Sequence, residues 1–214
     1  MVLPPEATAA RLIPPRPTLL RVREAAAACT ACDLYQHATQ TVFGEGPKGG
    51  IMLVGEQPGD HEDRAGRPFV GPAGRLLREV LAEAGIAEDG TYVTNAVKHF
   101  KWRPRGTRRI HDKPSWSEVQ ACGHWLSLEL AAVRPALVVC LGATAAQSLF
   151  GRSARVGALR GEPHELPDGS KALVTIHPSA VLRADDRDEM RAGLLADLEL
   201  ARELADQSTN VAKS

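Results

Sequence analysis

"IMLVGEQPG", residues 51–59, is the stretch on which the fold turns. Ile51 to Val54 are apolar without a break, too few for a helix, and Gly55 leads them into the polar, turn-forming Glu56-Gln57-Pro58-Gly59. A short apolar run cut off by turn residues reads as a strand covered on both faces. Three further stretches repeat the pattern: "TYVTNAV" (91–97), "ALVVCLG" (136–142) and "ALVTIHP" (172–178). Helical spacing fills the intervals. "GPAGRLLREVLAEAG" carries leucine and valine at helical spacing and stops at Gly85, and "SWSEVQACGHWLSLELAAV" opens with a capping box, Ser115 to Glu118, and ends before Pro135. Strands separated by helices predict a parallel four-stranded sheet with helices on both faces, a three-layer α/β/α domain. Ligands of such sheets lie outside the carboxyl ends of the strands. Here those ends carry Glu56 and Gln57, Asn95, Gly142-Ala143-Thr144, and His177-Pro178-Ser179.

A chain of 214 residues fits one domain. We expect a flexible, proline-containing arm over 1–24, the domain over 25–207 and a flexible tail over 208–214. Apolar residues make up 43% and charged residues 24%. No apolar stretch nears the ~20 residues of a membrane span, and the start lacks the apolar core of a secretion signal. A soluble, cytoplasmic monomer with no membrane partner is expected. Basic and acidic residues balance at 26 each, but they are segregated: Lys98 to Lys113 holds seven basic residues against one acid, Asp112, with Phe100 and Trp102 interleaved. Basic loops with aromatics suit nucleic acid.

Four cysteines in a cytosolic chain point away from disulfides. Cys29-Thr-Ala-Cys32 has the C-x-x-C spacing that one metal or cluster can share, and Cys122 lies on the capped helix. Cys140 sits inside a strand and reads as a small buried hydrophobe. On spacing alone, zinc and an iron-sulfur cluster both remain open.

"GEQPGDHEDRAGRPFVGPAGRLL", "YVTNAVKHFK", "RRIH", "LGATAA" and "HPSAVLR" resemble, in order and spacing, the uracil-DNA glycosylases, within them the iron-sulfur group called family 4, and most of all its UdgX-type members. The resemblance covers roughly residues 29–200. One departure is Thr107, where the subgroup's loop usually has lysine. The resemblance implies a [4Fe-4S] cluster held by Cys29, Cys32, His99 and Cys122, with zinc as the alternative. It also implies that uracil-containing DNA, single strands preferred, is the partner.

The same resemblance assigns roles. Phe69 stacks on the flipped base, Asn95 reads its edge, and Gln57 and Asp60 add contacts. His177 donates to the uracil oxygen, where negative charge develops as the glycosidic bond breaks. Arg108, Arg109, Lys113, Ser179 and Arg183 meet DNA, and Val181 or Leu182 fills the gap left by the base. Glu56 handles the nucleophile. The UdgX-type likeness makes that nucleophile His111, which bonds C1′ of the abasic sugar and leaves the protein covalently attached. Three alternatives stand beside it: a turnover glycosylase releasing free abasic DNA, a non-catalytic single-strand binder, and a metal-dependent nuclease using Glu56, Asp60, Glu62 and Asp63.

Overall fold

Each predicted strand forms; the first and third end at their turn residues, the second ends on Asn95 itself, and the fourth ends two residues before His177. In the computed structural model, which describes residues 9–211, α1 (Leu19–Ala27) precedes β1 (Ile51–Gly55), and α2 (Asp60–Ala65) and α3 (Pro72–Glu83) lead to β2 (Thr91–Asn95). A hairpin of β3 (Trp102–Arg105) and β4 (Arg108–His111) follows, then α4 (Trp116–Val133) and β5 (Leu137–Leu141). The chain continues through α5 (Ala143–Phe150), α6 (Val156–Leu159), β6 (Pro163–Glu165), β7 (Lys171–Thr175), α7 (Pro178–Arg183) and α8 (Arg187–Val211).

The sheet order is β2-β1-β5-β7-β6, with the first four strands parallel. β6 joins as an antiparallel edge. The sequence reading lacks this fifth strand because three residues, "PHE", carry no alternation, and proline is tolerated at the start of an edge strand. β1 and β5 are buried at every position, as central strands must be. One face packs Leu53, Val139, Leu141 and Leu173 against α3 and α8; the other packs Met52, Val54, Val138, Cys140 and Val174 against α4 and α5. Cys140 is fully buried in that second layer.

The arm expected over 1–24 is folded from Ala9 onward, and residues 1–8 lie outside the described residues. Prolines 14, 15 and 17 delay the helix, but Thr18 caps it by accepting from the Arg21 backbone N–H at 3.3 Å. Val22 and Ala26, one turn apart, then bury against Val119, Cys122 and Trp125 of α4. At the other end α8 runs on to Val211 instead of giving way at 208, since no glycine or proline follows Gly193 within it. Among the described residues no helix is long and apolar enough to cross a membrane.

A candidate active site at the switch point of the sheet

From β1 the chain moves outward to β2, and from β5 it moves the other way to β7, so the crevice between the ends of β1 and β5 is the topological switch point. Glu56 stands on one side of it and Thr144 on the other. The Thr144 hydroxyl donates to Oε2 of Glu56, and Oε1 of Glu56 lies 3.2 Å from Nε2 of His111. Burial pushes the Glu56 carboxyl up, but the bonds from His111 and Thr144 outweigh it and hold the group below its ordinary value.

His111 arrives on the hairpin, and the pleat explains its aim. Arg109 and His111 are two apart on β4 and share a face. On that face Arg109 reaches Asp60 at 2.5 Å, Asp63 at 2.6 Å and Thr39 at 3.2 Å, and lies over the rings of Phe100 and Trp102. Gln57 ties down the hairpin root. Its amide N–H groups donate to the carbonyls of Lys101 and Asp112, and its oxygen accepts from the Lys101 N–H, all at 3.1 Å. The two residues expected as base contacts, Gln57 and Asp60, therefore line the cavity with their side chains committed to the hairpin, and Arg109 is committed to carboxylates.

Opposite them, Phe69 has φ of 55°, an uncommon conformation for a bulky residue. Arg78 donates to its carbonyl at 2.9 Å, and Gly74 lets α3 come so close that an added Cβ would lie 1.7 Å from the same oxygen. The ring stacks toward His177 with centroids 6.2 Å apart. Asn95 is 3% exposed, and its side-chain amide makes no hydrogen bond within the described residues. No buried side-chain polar atom there lacks a partner, so the amide faces the cavity.

His177 begins α7. Its Nδ1 accepts from the Ser179 backbone N–H at 3.1 Å and lies 2.8 Å from the Ser179 hydroxyl. That bond puts the ring hydrogen on Nε2, leaving a donor for the cavity. Burial pushes the ring down to about 4, with Glu56 pulling the other way, so His177 is neutral at pH 7. His177 is partly exposed and lines the cavity. Of the two wedge candidates, Val181 is buried in the core and Leu182 lines the cavity beside exposed Arg183.

These groups surround an open cavity of about 790 Å³, roomy enough for a nucleoside and its sugar-phosphate. Exposed Lys113 lines it on the hairpin side, while Arg103, Arg105 and Arg108 are exposed on the hairpin but do not line it; none of the four forms an ion pair among the described residues. The acids of "GDHED" do not converge as a nuclease would need. Glu62 accepts from the N–H groups of Gly59 and Gly71, and Asp63 from Thr39. His61, which the sequence reading passed over, is exposed and also lines the cavity.

Below the hairpin root, Cys29, Cys32 and Cys122 share an apolar compartment with Trp125 and Val97. Burial pushes the Cys32 thiol up to about 11 and Cys122 up to about 12. N–H donors already point at two sulfurs: the Lys98 backbone at Cys122 and the Trp125 indole at Cys29, both at 3.2 Å. Such bonds support thiolate ligands of a cluster. His99 is buried, its Nε2 lies 2.9 Å from the Thr41 hydroxyl, and burial holds its ring down to about 4, the neutral form that ligation requires. Among the described residues no three His, Cys, Asp or Glu groups are close enough to hold a single metal ion. A cluster takes each ligand on a different iron and so does not need the donors to meet at one point, and buried thiolates that accept N–H bonds are the donors it uses.

The arrangement defines a class: an α/β/α domain with a nucleoside-sized acid–base pocket at its switch point, roofed by a basic hairpin. Within that class the chain belongs to the uracil DNA glycosylase superfamily, whose family model matches residues 43–199. It is 40% identical over 183 residues to a type-4 uracil-DNA glycosylase of Thermotoga maritima, covering 85% of this chain and 91% of that protein. A type-4 uracil-DNA glycosylase of Archaeoglobus fulgidus is 40% identical over 162 residues, with 72% and 78% covered. One of Sulfurisphaera tokodaii is 34% identical over 197 residues, with 88% and 85% covered.

Proposed function

We propose that the protein excises uracil from DNA and captures the abasic product through His111. The observation that carries this reading is the pair at the switch point: an imidazole 3.2 Å from a carboxylate, on a hairpin braced by Arg109 and Gln57. With the hydrogen on Nε2 shared with Glu56, the lone pair of His111 is on Nδ1. The base enters between Phe69 and His177 and its edge meets the free amide of Asn95. The bond from C1′ to the base nitrogen breaks, and its electron pair leaves with uracil, whose oxygen accepts from Nε2–H of His177. The imidazole lone pair then forms the bond to C1′. The resulting imidazolium keeps its remaining proton opposite the Glu56 carboxylate, and the uracil anion takes its proton from water. Arg108, Lys113 and Arg183 hold flanking phosphates, and Leu182 enters the gap. The open cavity suits single-stranded DNA, which needs no pair broken before a base is flipped.

Cys29, Cys32, His99 and Cys122 would hold a [4Fe-4S] cluster whose part is structural, tying the N-terminal segment to the hairpin root. Anaerobically purified protein should be brown; Cys122→Ala should bleach it and Cys140→Ala should not.

The decisive experiment incubates the protein with a uracil-containing oligonucleotide and resolves it on a denaturing gel. A shifted band resistant to denaturation is expected, and His111→Ser should abolish it while uracil is still released. Free abasic DNA from the wild-type protein, with no adduct, would establish the second reading, turnover, which the names of the type-4 relatives favour.

A further inference from the structure

We infer that Thr144 is a positioning residue: its hydroxyl holds one oxygen of Glu56 so that the other stays aimed at His111. The inference deepens the reading above and rests on it for what His111 does. A glutamate has three rotatable bonds, and fixing its side chain costs entropy that some neighbour must offset. Glu56 is partly exposed at the mouth of the crevice, with His111 and His177 both in electrostatic reach, so without a tether it could turn to either. Thr144 is the tether. It is 1% exposed, and its β-branched side chain is stiff about χ1, so the hydroxyl is a fixed point and not a second flexible arm.

The backbone brings Thr144 there. Gly142 adopts φ of 90°, its N–H donates to the Thr175 carbonyl at 2.9 Å, and an added Cβ would stand 3.0 Å from Cβ of His177. This turn presses the start of α5 against the ends of both β1 and β7, and so delivers Thr144 across the switch point to Glu56. A carboxylate only accepts, so the threonine O–H must donate, which stabilises the ionised form. Three elements thus converge on one side chain: β4 through His111, α5 through Thr144 and α7 through His177. Of these, Thr144 alone cannot change charge.

The test uses Thr144→Val, which keeps the shape and loses the donor, and Thr144→Ser, which keeps the donor. Three quantities are read: single-turnover uracil release, adduct yield, and the Glu56 titration midpoint by carbon NMR of the labelled carboxyl, with native near-ultraviolet dichroism as the fold control. Thr144→Val should slow release roughly ten- to a hundredfold, the range for a hydrogen bond to a charged group, through kcat more than KM. The Glu56 midpoint and the acid limb of the rate profile should both move to higher pH, because a bond favouring the charged form is gone. Thr144→Ser should restore both. A folded Thr144→Val protein with unmoved midpoint and rate would overturn the inference. If the wild-type protein releases uracil but forms no adduct, the capture reading fails, and Thr144 is still judged on release rate and midpoint. If no uracil is released at all, the midpoint alone decides.

Discussion

Two carboxylate–base pairs in this protein, Glu129 with Lys98 and Glu56 with His111, have opposite fates. Glu129 meets Lys98 where neither side chain touches solvent. Lys98 also donates to Thr94 at 2.7 Å and to the Asn95 carbonyl at 2.6 Å, while Glu129 accepts from Tyr92, Thr94 and the Gly44 N–H at 2.9, 2.9 and 3.0 Å. Every donor and acceptor is spent, so the pair is inert and serves to hold Asn95 at the end of β2. Glu56 and His111, by contrast, are 22% and 49% exposed, with one ring nitrogen unclaimed among the described residues. Reactivity follows from what is left unsatisfied. Both carboxylates sit next to a basic nitrogen, but only the one at the strand end keeps a free lone pair within reach of a ligand.

The largest effect should come from the open pair. Glu56→Ala should lower uracil release and adduct formation together by roughly 10²- to 10⁴-fold, the usual contribution of a positioned acid or base, measured in single turnover. Equal rates with and without the carboxylate would make the two pairs alike in being structural.

The closed pair should break differently. Lys98→Met strands Glu129 in an apolar compartment and should cost about 3–5 kcal/mol of stability in urea unfolding. The double variant Lys98→Met/Glu129→Leu should recover much of that stability, while uracil release stays low because Asn95 has lost its brace. Full activity in the recovered double variant would reduce the network to packing.

Asn95→Ala, which removes the amide but leaves both pairs intact, should cost about 1–3 kcal/mol of transition-state binding, seen as a fall in kcat/KM for uracil. Selectivity over cytosine should narrow with it.

Counted per pH unit, the smallest effect is a slope in stability. The ring of His177 is held down to about 4 in the fold, whereas an unfolded histidine titrates near 6.5. Between those values the unfolded chain binds the extra proton, so stability is lost as pH falls from about 6.5 toward 4, at no more than about 1.4 kcal/mol per pH unit from this group. Thermal unfolding of His177→Gln against wild type across that window should show the slope reduced by this share. An unchanged slope would mean that the ring charges freely in the fold.

Much of the site was legible because its residues sit at strand ends, where composition changes abruptly. Glu56, Asn95 and His177 each follow an apolar run, and the parallel sheet gathers them at one edge. The spacing of "RRIH" carries its geometry too: period two puts Arg109 and His111 on one face, but the carboxylates that Arg109 meets lie some 46 to 49 positions away and left no local mark. Gln57 and Asp60, base contacts by the resemblance, line the cavity and also brace the hairpin, which no local pattern shows. Lys98 and Glu129 escaped notice because each, read alone, is an ordinary charged residue, one after a strand and one within a helix. The folded segment from Ala9 was hidden by prolines, which signal a break but not what the chain beyond them packs against.

By itself the sequence determined the layers of this protein and the polar residues at its strand ends, because hydrophobic period and turn residues act over a few positions, while its motifs carried the likeness to the family. Only the tertiary structure decided which polar groups are spent and which are free. That Asn95 keeps its amide, that Arg109 surrenders its charge to Asp60 and Asp63, and that Thr144 rather than a neighbour holds Glu56 all depend on contacts between residues tens of positions apart. Hydrogen bonds reach about 3 Å in space and take no account of separation along the chain.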